Sequence, residues 1–247
     1  MISVSSVMVI LHFLSLNFMR RAFIYAIAVV LLFSFYGCSK EKEKADPFEN
    51  GYEYVDLGLS VKWATCNVGA TKPEEYGDYY AWGEIETKTG YSWANYKYRS
   101  TGDSPDDIKF KKYSTDRIYG INDCKSVLES DDDVARVKWG GKWRMPTESE
   151  RDELFHKCKW IWTTVNGVSG YIVTSKLPGF SDRSIFLPAA GFKDETGLHH
   201  DGSFGAYWSS SLVTDCRYVW YLNFDSENIQ MYGSLRYYGF SIRPVCK

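Results

Sequence analysis

The 247-residue chain carries 29 basic and 31 acidic residues, a net charge of −2, with 45% hydrophobic and 17% aromatic content. No basic face is evident, which argues against a nucleic-acid partner. Residues 1–37 hold two of the basic residues and none of the acidic ones, so the rest sits near −4. That remainder is long enough for one domain burying roughly 70% of its unfolded surface.

Arg20-Arg21 precede the run Ala22–Tyr36. A basic flank and about 15 apolar residues have the form of a secretory signal, short for a membrane span. Met19 is a natural start for it, and an uncleaved signal anchor is the alternative reading. Phe35-Tyr-Gly-Cys38 has the form of a lipoprotein cleavage box, in which the cysteine becomes lipidated and N-terminal. Ser39–Pro47 is charged, without apolar residues to bury, and predicts a tether without packed structure. The expected division is a signal over 1–37, a tether over 38–50 and a folded domain over 51–247. A chain built this way reaches the membrane through lipid on Cys38, at an outer membrane or cell surface.

Five cysteines follow Cys38: Cys66, Cys124, Cys158, Cys216 and Cys246. Export permits disulfides, but an odd count leaves at least one thiol free or paired between chains. Apolar flanks at Cys66 and Cys246 predict buried positions. All nine tryptophans lie beyond residue 51, which suits a loop-rich domain with a core of large flat side chains.

Tyr54–Leu57 and Val61–Cys66 alternate with period two and read as strands. Tyr76–Glu84 gathers four aromatics around two glycines; core filling is the simpler reading, a sugar-stacking platform the other. Residues 99–120, with Gly102-Asp-Ser-Pro-Asp-Asp107, predict a long surface excursion. Ser130-Asp-Asp-Asp133 reads as the acidic start of a first helix ending at Gly140, since carboxylates suit a helix N-terminus. The spaced oxygen ligands and distal glutamate of an EF-hand-like calcium loop are missing there.

Gly140-Gly141 permit an irregular turn, and Met145-Pro146 stops any helix entering from that side. Thr147-x-x-Glu150 is a capping box, with Glu148, Glu150 and Asp152 in the first turns and Lys157 and Lys159 at the far end. The pattern predicts a helix over roughly 147–158. Trp143-Arg-Met-Pro-Thr-Glu-x-Glu-x-x-Glu-Leu154 resembles the signature of the formylglycine-generating-enzyme/sulfatase-modifying-factor superfamily. It is more similar still to bacterial lipoproteins carrying a Fibrobacter succinogenes major paralogous domain. Val55–Ala70, Leu187–Gly191, Tyr207–Ser211 and Gly239–Val245 resemble that second family too, in its order. The resemblance implies an α+β, C-type-lectin-like fold, antiparallel-rich with two short helices. It implies no activity, because folds host many functions. In the resembling lipoproteins, acidic residues soon after the cysteine accompany surface display, and Glu41 and Glu43 fit that position.

Trp160–Val165, Gly170–Ser175 and Ser184–Pro188 read as strands, with Asn166-Gly167 as a hairpin turn. Leu198-His-His-Asp-Gly202 predicts an exposed loop, because adjacent histidines rarely converge on a metal without further ligands. Tyr218–Phe224 is a strand, Asp225–Asn228 a turn, Ile229–Tyr232 the return strand and Phe240–Val245 the closing segment. Gly233–Gly239 is a polar-aromatic loop between them. Tyrosine with amide and hydroxyl neighbours is the chemistry of a recognition surface, and in lectin-like folds this region commonly carries the ligand. The expected contacts to a glycan or protein ligand are Arg217, Asn223, Asn228, Gln230, Tyr232, Arg236, Tyr237 and Tyr238. A tyrosine-rich sheet surface without a ligand is the plainer alternative. Arg144 and Arg243 are expected to pair with carboxylates or carbonyls inside the fold.

Enzyme chemistry does not assemble from the motifs. The formylglycine-generating relatives oxidise a cysteine with copper held by a close cysteine pair, and here Cys216 and Cys246 stand far apart in sequence. G-x-S-x-G and H-E-x-x-H are absent, and no metal set or cofactor motif emerges. The expectation is a surface-anchored binding protein rather than an enzyme, with a structural subunit of a surface assembly as the second class.

Overall fold

Among the described residues, the last strand pairs beside the first ones. In the computed structural model, which describes residues 47–101 and 107–247, β1 (Phe48–Glu49), β2 (Tyr52–Val55), β3 (Lys62–Ala64) and β14 (Val245–Cys246) form one sheet in the order β1-β2-β3-β14. The expected leader and Cys38 lie outside the described residues. The expected tether does not run to residue 50, because β1 is already paired with β2. The Glu49 carbonyl accepts the Trp143 indole N–H at 2.6 Å, and Asn50 donates to the Trp139 carbonyl.

Strands β4 (Arg99–Thr101) and β5 (Ile108–Phe110) pair with each other. The stretch expected to run over the surface instead sends Phe110, Tyr113 and Ser114 into the interior. The acidic run forms a short 3-10 turn, Ser130–Asp132, and then helix α1 (Val134–Trp139), capped by the Asp133 carboxylate on the amides of Ala135 and Arg136. Asp132 accepts from Lys97, Lys112 and the Tyr113 hydroxyl. These aspartates are used for capping and clamping. Helix α2 (Glu148–Lys157) starts as expected: Thr147 Oγ1 accepts from the Glu150 amide, and Glu150 accepts from the Thr147 amide at 2.9 Å.

A second sheet, in the order β6-β7-β8, holds β6 (Cys158–Val165), β7 (Val168–Ser175) and β8 (Ser184–Pro188). Its first turn is Asn166-Gly167, with φ of 48° and 85°, the left-handed pair that a two-residue hairpin requires. Hairpin β9 (Phe192–Asp194) and β10 (Gly197–His199) follows. A third sheet takes β11 (Gly205–Leu212), β12 (Tyr218–Phe224) and β13 (Ile229–Leu235) in that order. Every strand pair is antiparallel among the described residues, which with the two helices makes the fold mixed α+β.

The third sheet separates two apolar cores, and period-two alternation explains why. Ala206, Trp208 and Val219 face the larger core, with Trp82, Tyr113, Trp143 and Phe240; Tyr207, Leu222 and Phe224 face the smaller one, with Leu154, Tyr171 and Trp63. Trp63, Trp82, Trp143 and Trp208 are all fully buried. The Trp82 indole donates to the Ser209 carbonyl and that of Trp208 to the Tyr80 carbonyl, each at 2.9 Å. Tyr79, Tyr80 and Trp82 are therefore core filling and form no exposed platform. Cys246 is buried as expected, Cys66 only half-buried, and all five described cysteines are free thiols.

Arg144 and Arg243 hold the frame. Arg144 grips the Glu150 carboxylate with both terminal guanidinium nitrogens, at 2.5 and 2.7 Å. Arg243 is buried and donates to Asn67 Oδ1 and to the carbonyls of Ala64 and Thr65. No helix among the described residues is long and apolar enough to cross a membrane.

Candidate functional site

Where the larger core ends, one face of the third sheet turns outward. Cross-strand register sets Asn223 opposite Gln230 and Tyr221 opposite Tyr232, and residues two apart share a face. Phe240 covers Trp208 at a ring separation of 4.1 Å and Tyr221 at 4.9 Å. Beyond it the face is open. Tyr232 is 61% exposed, Gln230 is exposed and Asn223 is partly so. Burial raises the Tyr221 hydroxyl above its ordinary value, against a hydrogen bond with Asn223.

An open cleft of about 580 Å³ lies at the same end of the sheet, lined by Phe192, His200, Ser203, Phe204, Asp225, Ser226 and Glu227. Three separate pieces of chain build it. Gly205 pairs with Phe224, and a Cβ there would lie 2.1 Å from the Phe224 ring. Glycine lets β11 close on β12 at that rung, bringing Phe204 beside the Asp225 turn. The Gly191 amide donates to the Phe204 carbonyl at 2.6 Å, which adds Phe192. The rings of Phe192, His200 and Phe204 lie 5.9 to 6.5 Å from one another and form one wall.

The other wall is the turn between β12 and β13. Asp225 Oδ1 accepts from the amides of Glu227 and Asn228, each at 2.8 Å. Those bonds hold its carboxyl below the usual carboxylate value, so it is ionised at neutral pH. Asn228 also turns its side-chain amide back to Asp225, at 3.4 Å. Glu227 is exposed. The cleft lining contains no lysine or arginine.

The eight residues expected to touch a ligand divide into groups. Asn223, Asn228, Gln230 and Tyr232 share the open end of β12 and β13. Tyr238 joins them: its ring lies 5.7 Å from Phe192, and it contributes to the raised Tyr221 value. Tyr237 leans the other way, with its ring edge-on to Trp93 at 5.0 Å.

Arg217 stands at the opposite end of β12, about 20 Å from Asn223 along the strand. It is committed to Asp215 at 2.6 Å and lies over the rings of Tyr119 and Tyr218. Arg236 corrects the expectation outright. It is 0% exposed, lies over the Phe110 ring at 3.9 Å, and donates to the carbonyls of Lys112 and Tyr113. Burial lowers its pKa. It ties the β13 loop to the 112–113 segment and cannot meet a ligand.

Reading the sequence missed Phe192, His200, Ser203, Phe204, Asp225, Ser226 and Glu227 as one lining. His200 was legible only as an exposed loop residue, as it proves to be, and Asp225 only as a turn residue. No spacing within the chain links residues 192–204 to residues 225–227.

Residues 172–245 match a family described as a domain of unknown function, DUF8237. That stretch runs from β7 into β14 and contains all of the cleft and all eight expected contact residues. No curated protein and no solved structure matches the chain.

Proposed function

We propose that the chain is a lipoprotein anchored at an outer membrane or cell surface through Cys38, whose C-type-lectin-like domain binds a glycan at the open end of one face of its third sheet. One observation carries the reading: Asn223, Gln230 and Tyr232 stand together on a rigid sheet face, open to solvent, beside a cleft walled by Phe192 and Phe204. Aromatic rings stack on pyranose faces, and amides and carboxylates meet hydroxyl groups. The amides stand on paired strands, Phe192 stands on β9, and Phe204 is tied beside it by the Gly191 amide, so little freedom is lost on binding. The function is recognition, with no chemical step.

A glycan array probed with the full chain, with and without calcium, tests this. Binding to a defined sugar supports it; a blank array in both conditions refutes it. The anchor has its own test: Cys38→Ala is expected to abolish lipid processing and membrane association, and unchanged fractionation would refute that part.

A second reading has one observation in its favour. The outer edge of β13 has no strand beside it among the described residues, and an unpaired edge is a template for a partner strand. A subunit of a surface assembly would use it. That reading predicts oligomers or a crosslinked partner, and a monomer without one counts against it.

A further inference from the structure

We propose that the cleft beside this face selects a sugar carrying a free amine, a hexosamine in its ammonium form, over the same sugar N-acetylated. The inference rests on the glycan-binding reading and names its ligand class.

Charge and shape lead to it. The lining holds two acidic residues, Asp225 and Glu227, together with three rings, Phe192, His200 and Phe204. No lysine or arginine of the lining neutralises the carboxylates. Asp225 spends Oδ1 on the turn amides and Asn228, while Oδ2 has no hydrogen bond among the described residues. The exposed Glu227 carboxylate makes no hydrogen bond or ion pair among the described residues.

An acidic sugar entering here meets two like charges. A neutral acetamide leaves both carboxylates without a counter-charge. An ammonium group satisfies them, and the phenyl faces attract it further. The volume of about 580 Å³ admits a sugar unit, since ligand clefts begin near ~300 Å³. The Asn228 side chain, folded onto Asp225, keeps the acidic turn in place.

Calorimetric titration of the full chain with glucosamine oligomers, and with their N-acetylated counterparts of equal length, tests the proposal. The wild type is expected to bind the amine form about tenfold more tightly. Glu227→Gln removes a charge from an exposed turn without touching the Asp225 bonds, so it is expected to keep the fold, checked by circular dichroism, and to lose most of that preference. Equal or tighter binding of the N-acetylated oligomer overturns the proposal, as does a preference that survives in Glu227→Gln. Binding of neither oligomer by a chain that does bind another array sugar overturns the amine class and leaves the glycan reading standing. A chain that binds no sugar at all defeats both.

Discussion

Asn223 on β12 stands directly across from Gln230 on β13, and two positions along the same face Tyr221 stands across from Tyr232. Side chains opposed in this way lie about 5 Å apart at Cβ. Two amides and two phenols therefore occupy one small patch, and only Tyr221 of the four packs against the core aromatics Trp208 and Phe240.

That division separates stability from the proposed recognition. Tyr232→Ala and Gln230→Ala remove exposed groups and are expected to change unfolding free energy by no more than about 0.5 kcal/mol. Each is expected to weaken sugar binding about tenfold, as a well-placed contact residue does. Thermal melts beside titrations of each variant check both halves.

Arg236 gives the opposite pattern. Arg236→Met leaves the carbonyls of Lys112 and Tyr113 without their donor in the interior, so a loss of about 3 kcal/mol is expected. Sugar affinity of the folded fraction should be unchanged. A loss of affinity at unaltered stability would return this residue to the site.

The two-pronged grip of Arg144 on Glu150 also completes the cap of α2, because the same carboxylate accepts from the Thr147 amide. Glu150→Ala removes cap and ion pair together and is expected to cost about 2 kcal/mol. Denaturant midpoints at constant slope measure it. Glu150→Gln should recover part of the loss, since its side chain still accepts from the Thr147 amide.

Asp132 supplies a pH dependence. Burial pushes its carboxyl upward, but hydrogen bonds from Lys112, Tyr113 and Lys97 win and hold it well below the usual carboxylate value. A carboxylate whose pKa is depressed by folding adds stability above its unfolded value, near 3.9, and loses it as pH falls through the folded value. Melting temperatures of wild type and Asp132→Asn should therefore differ most at neutral pH and converge as pH falls below about 4. A gap that stays constant across that range would contradict the assignment.

Local signals were legible in the sequence. The capping box placed α2, Asn166-Gly167 placed its hairpin, and β8 and β12 fall on the runs that read as strands. Each depends on chemistry within a few residues. What could not be read depends on contacts distant in sequence. The pairing of β14 with β3 joins residues near 245 to residues near 63. Arg236 is polar by type, and only the approach of Phe110 and the 112–113 carbonyls makes it an interior residue. Phe48–Asn50 continue a charged tether by composition, yet Trp139 and Trp143 give them partners. The candidate face was half legible: the β12–β13 residues follow from one hairpin, whereas Phe192 and Phe204 arrive from other segments.

The open face of β12 and β13 is the proposed sugar-binding surface. The most direct measurement is titration of the full chain, and of a Gln230→Ala/Tyr232→Ala variant, with the tightest sugar found on an array. A saturable wild-type isotherm and at least about a tenfold loss in the variant at matched melting temperature are expected. An identical isotherm for the variant would place the sugar elsewhere and contradict the account.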